Sequence, residues 1–185
     1  MASLLYRPLD LVIVIILGSF LAIGLTIDYI QTFYGSIQSE DDIVYGVWPP
    51  PPVLKSYAWW CSNVDTLLAV NPSWYSVMAA FSPFIYCPFY VAAIYAFIFE
   101  KEWIRIPALM WGWGLLLTMI IVAHEQLYGP HPAKDVTLFF IAYGAYAVMP
   151  LVIMGRVAMT PLFPKLTQIK PPSPQQRSGG KKKKN

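Results

Sequence analysis

The stretch "LVIVIILGSFLAIGLTIDYIQTF" (residues 11–33) runs for seventeen residues, 11–27, without a formal charge before it meets Asp28. A helix needs about 20 apolar residues to cross roughly 30 Å of hydrocarbon, so the run reads as a membrane span. An ionisable group at the centre of a span costs about 2.5–3.5 kcal/mol on insertion scales and marks function by default. A short Asp reaches the headgroups poorly. Asp28 is therefore the first candidate for a ligand contact.

Working outward, residues 10–33, 74–99, 103–123 and 136–158 are each long and apolar enough to span. Backbone groups in lipid must bond internally, so these segments are helices rather than barrel strands. Only 12% of the 185 residues are charged, against about 25% in globular proteins. Seven Trp and twelve Tyr suit the two faces of a bilayer. The first span lacks a signal-peptide cleavage pattern and has Arg7 as its only preceding cation, so it is expected to be retained. Cys61 and Cys87 give neither a disulfide framework nor a metal motif, and no metal or other cofactor is expected. No basic patch interleaved with stacking aromatics points to nucleic acid.

Cations orient the chain. Eleven of the thirteen Lys and Arg precede span one, bracket the link between spans two and three, or close and follow span four; only Lys55 and Lys134 fall on the other side. The imbalance puts both termini in the cytosol. The expected fold is all-α and polytopic: a four-transmembrane-helix bundle over residues 1–160 with a lumenal cap at 35–73. A disordered, basic cytosolic tail follows at 161–185, since "KPPSPQQRSGGKKKKN" (170–185) has too little apolar surface to fold. Lys182 and Lys183 match the position of a dilysine retrieval signal of the endoplasmic reticulum. The same lysines also suit attraction to anionic lipid.

The cap opens with an acidic "SEDD" (39–42) and "WPPPP" (48–52), whose prolines should hold the chain extended. In span two, "AFSPFIYCPFY" (80–90) loses helical hydrogen bonds at Pro83 and Pro88, and puts Ser82 and Tyr86 four apart on one face. Span four places Tyr143 and Tyr146 on one face in "AYGAY" (142–146). "HEQLYGPH" (124–131) holds both histidines and Glu125, and reads as a solvated loop entry rather than an acid–base pair.

Five segments, "LTIDYIQ", "DTLLAVNPSWY", "CPFYVAAIYAF", "EWIRIPAL" and "AYGAYAVMP", resemble in order and spacing the EXPERA family, most closely its sigma-2 receptor branch. The resemblance implies a four-helix bundle of the endoplasmic reticulum associated with sterol handling. Its implied ligand site holds Asp28, Ser82, Tyr86, Tyr143 and Tyr146, with Asp65 as the structural acid of the cap. Ser82 stands where the family has a second acid, and Tyr86 where it has a Gln. The implied function is non-enzymatic binding of a sterol or other lipid, or of a cationic amphiphile, within the bundle. The family's sterol isomerases need His and Glu inside the spans, where this sequence has no His. The alternatives are an isomerase using Asp28 and Glu125, or a structural or chaperone partner of another membrane protein. A homodimer is the further partner considered.

Overall fold

The computed structural model describes residues 4–159 and 161–163. Lys182, Lys183 and the rest of the basic tail lie outside the described residues. Among the described residues every regular element is helical. Four segments are long and apolar enough to cross a membrane: Pro8–Phe33, Ser73–Ile98, Glu102–Tyr128 and Val136–Ala158.

The first span is two helices, α1 (Pro8–Gly24) and α2 (Ile27–Phe33). Pro8 starts α1 where its missing N–H costs nothing. The cap follows as α3 (Pro51–Asn63) and α4 (Thr66–Val70). The second span comprises α5 (Ser73–Phe81), a wide turn over Ser82–Tyr86, and α6 (Cys87–Ile98). Spans three and four contain α7 (Arg105–Tyr128) and α8 (Val136–Ala158). Helix α1 packs on α6, α2 on α5, and α7 on α8.

The wide turn is the local answer to Pro83. Without that N–H the Ala79 carbonyl is taken instead by the Ser82 N–H, and the Cys87 N–H then reaches five residues back to the Ser82 carbonyl. Gly24 makes room for this turn. A Cβ there would lie 2.9 Å from the Ser82 hydroxyl and 2.5 Å from the Cys87 sulfur. The close approach carries Ser82 against the first span.

Two expectations need correction. Of the four prolines in "WPPPP", only the first two precede a helix: Pro50 is extended (φ −60°, ψ 145°), while Pro51 and Pro52 are the first two residues of α3. First-turn residues donate no intrahelical bond, so proline is tolerated there. Trp48 then anchors the segment, donating its ring N–H to the Leu25 carbonyl (2.8 Å) where the first span breaks. The second correction concerns the boundary at 160, since Leu162 and Phe163 are buried in the core of the bundle. The Arg156 guanidinium holds the Leu162 carbonyl at 2.7 Å and turns the chain back over the bundle end.

The outward faces are apolar. Along α7, Met110, Trp113, Leu117 and Ile120 are 71, 69, 60 and 65% exposed. A patch of that extent is untenable in water and natural against lipid. Two buried clusters fill the interior. One gathers Leu17, Phe20, Tyr90, Trp111 and Ile153 at the end where α1 begins; the other joins Leu54, Tyr57, Leu68 and Tyr75 to Val122 and Phe139 under the cap.

Candidate functional site

Between the two clusters lies a cavity of about 340 Å³, walled by both halves of the bundle and roofed by Tyr57 and Trp60 of α3. The size falls in the range of about 300–1,000 Å³ that holds small molecules. Asp28, Ser82, Tyr86, Tyr143 and Tyr146 all line it, although they come from three spans. The lining is mostly apolar, which is what the spans offer lipid and core alike.

Asp28 sits in the first turn of α2, and the helix N-terminus favours a carboxylate there. It is half-buried at the cavity edge, with the Ser82 side chain beside it. No cation faces it in an ion pair among the described residues. Tyr146 stacks on Phe20 with ring centroids 4.6 Å apart and planes within 6°, closing the cavity between α1 and α8. Tyr143 forms wall rather than free donor, because its hydroxyl already donates to Asp65 Oδ2 at 2.7 Å.

Asp65 does not line the cavity and has no exposed surface. It caps α4, accepting the Leu68 N–H at 2.9 Å, and accepts from Tyr143 of α8 and from the Gln126 side-chain amide of α7. Three elements distant in sequence therefore meet on one carboxylate. The sequence reading found the cap acid but neither Gln126 nor the Tyr143 bond, since nothing in local spacing connects residues more than sixty apart. It also missed Gln31, Tyr75 and Tyr90 on the cavity wall. Gln31 was open to detection, as a polar residue one turn past Asp28 on the same face.

Glu125 lies elsewhere. Its carboxylate meets His131 Nδ1 at 2.6 Å, pinning the loop between α7 and α8, and with Trp74 and His124 it borders a separate recess. The alternative that paired Asp28 with Glu125 on one substrate is therefore not met by the geometry. In the cap, burial pushes the Cys61 thiol up to about 12, which makes it inert at neutral pH. The "SEDD" acids form a short turn in which the Gln38 and Ser39 N–H groups hold the Asp42 carboxyl below its ordinary range. No cluster of three His, Cys, Asp or Glu able to hold a metal occurs among the described residues.

The sigma intracellular receptor 2 of Xenopus tropicalis is 29% identical over 132 residues, covering 62% of this chain and 73% of the relative. A family model described as EBP: EXPERA (EXPanded EBP superfamily) matches residues 32–157, a stretch that begins just after Asp28 and Gln31 and includes the cap and the other lining residues named above. Matched over more than half its length and built as four apolar helices around one cavity, this multi-pass membrane protein belongs to the EXPERA family.

Proposed function

We propose that this protein binds a sterol or a related amphiphile in the cavity beneath the cap, as a non-enzymatic participant in sterol homeostasis or transport. One observation carries the reading: Asp28 borders a mostly apolar cavity with a serine, and no cation among the described residues, beside it. Core acids are ordinarily paired, so a carboxylate left this way suits a ligand with a polar end and a greasy body. Family membership and the resemblance to a sigma receptor support the ligand class.

A non-enzymatic role accords with the lining. Moving a proton along a sterol needs an acid and a base at the substrate. Asp28 is the one carboxyl group among the described lining residues, and no imidazole joins it. The proposed site of action is the endoplasmic-reticulum membrane, with both termini cytosolic. Arg7, Lys101, Arg105 and Arg156 sit at the opposite end from the cap, which holds Lys55, and this supports the orientation given by the cation count. Mass spectrometry of lipids retained by the purified full chain tests the function. A co-purifying sterol is expected, and isomerisation of added sterol by the pure protein would replace binding with catalysis.

A further inference from the structure

Gln31 is 4% exposed and lines the cavity, yet its carboxamide has no hydrogen-bond partner among the described residues. Its amide atoms are not sealed off, so the carboxamide is open to whatever occupies the cavity. Gln126, buried to a similar degree, makes the contrast: it lies off the cavity and gives its amide to Asp65, with its Oε1 shut in without a partner among the described residues. The Gln31 backbone is held firmly. Its carbonyl accepts from the Asn71 side chain at 2.7 Å and from the Ser76 hydroxyl at 3.4 Å. Asn71 in turn adopts the left-handed conformation that ends α4 (φ 47°), so the cap fixes where Gln31 stands. The side chain is thus positioned from outside and open to the cavity inside.

Asp28 and Gln31 lie one helical turn apart and border the same cavity. We propose that Gln31 and Asp28 together form a two-point site for the hydroxyl group of a lipid alcohol, a proposal that rests on the cavity being a lipid site. The hydroxyl proton donates to the Asp28 carboxylate, and the hydroxyl oxygen accepts from the Gln31 Nε2–H. Each alternative head uses less of the pair. A ketone has no proton for Asp28. An ammonium has no lone pair for the Gln31 N–H; it holds to Asp28 by a charge-assisted bond and depends on Gln31 less. The pair is therefore built for a hydroxyl over a ketone, and Gln31 matters more to the hydroxyl than to the ammonium.

The test uses the full chain in lipid nanodiscs and four labelled probes: a 3-hydroxy sterol, its 3-keto and 3-amino analogues, and a diacylglycerol. Wild type should bind a hydroxyl probe at least tenfold more tightly than the ketone. Which hydroxyl probe is retained tells whether the rigid sterol or the flexible glyceride is the source, and either supports the site. Gln31→Leu keeps the size and removes the bonds. It should weaken the hydroxyl probe about tenfold, the loss expected when one hydrogen bond goes, while changing the amine less than threefold. Unfolding temperature is read for both proteins. If Gln31→Leu destabilises the fold, the wild-type ranking alone decides: equal binding of alcohol and ketone overturns the proposal. Undiminished alcohol binding by a stable Gln31→Leu overturns the Gln31 role and leaves lipid binding standing. A wild type that binds none of the probes overturns both.

Discussion

Asp10 and Asp28 stand at opposite ends of the same first span and are treated in opposite ways. Asp10 is 1% exposed and fully engaged. Arg156 of α8 meets it with two nitrogens, at 2.8 and 3.2 Å, and Arg7 adds a third contact at 3.0 Å. Both guanidiniums also lie over the Phe163 ring, 5.5 and 5.7 Å from its centroid. Arg7 continues to the Phe97 carbonyl, so α1, α6, α8 and the returning chain are joined at one point. Asp28 has a serine. The same side chain in the same span is a rivet where cations surround it, and an open acceptor where the neighbours are tyrosines and a cavity. Asp65 sits with Asp10 in this division, buried and bonded by three donors.

The contrast predicts an order of effects. Asp10→Ala strands two guanidiniums at a buried site and should destabilise the protein by about 3 kcal/mol or more, read by thermal unfolding in detergent. A loss under about 1 kcal/mol would remove the rivet from the account. Asp65→Ala should come next, at about 2–3 kcal/mol, because Leu68, Gln126 and Tyr143 all lose an acceptor. Any weakening of ligand binding should follow from that instability and recover on cooling. Asp28→Asn should change stability by less than about 1 kcal/mol, yet weaken a cationic amphiphile about ten- to a hundredfold. Loss of stability with unchanged affinity would move Asp28 into the company of Asp10.

The smallest expected effect sharpens the picture of the charged end. Glu100 ends α6 in the left-handed conformation (φ 56°), which glycine adopts with about 1 kcal/mol less strain. Its carboxylate lies 3.6 Å from Arg7 across a partly exposed pair worth about 0–1 kcal/mol. Glu100→Gly should therefore be nearly neutral in stability. A clear loss would show that Arg7 needs both carboxylates, and that the rivet extends beyond Asp10.

The four spans were legible because apolar length is a local property of the sequence, and the segments read at 10–33 and 136–158 match the helices within two residues. Asp28 was legible for the same reason, as a charge interrupting such a run. The start of α3 was not, because proline forbids a helix interior but suits its first turn, and the sequence does not say which turn Pro51 occupies. The rivet was missed differently. Arg7 and Arg156 were weighed as topology signals; Arg7 stands only three residues before Asp10, whereas Arg156 is 146 residues away and nothing near it names Asp10. Gln126 and Asp65 repeat the lesson at the other end, 61 residues apart. Partners made by tertiary packing leave no spacing to read. Single residues that packing must satisfy, such as a polar Gln31 one turn from an acid, do leave a trace.

The central claim is that the ligand occupies the cavity beside Asp28 rather than the lipid-facing surface. Photolabelling the full chain in nanodiscs with a sterol carrying a diazirine, followed by peptide mapping, addresses it directly. The account predicts adducts on cavity residues such as Met78, Met119, Tyr143 and Tyr146, competed away by unlabelled sterol. Adducts confined to the outer face of α7, at Met110, Trp113 and Leu117, and indifferent to competitor, would contradict it.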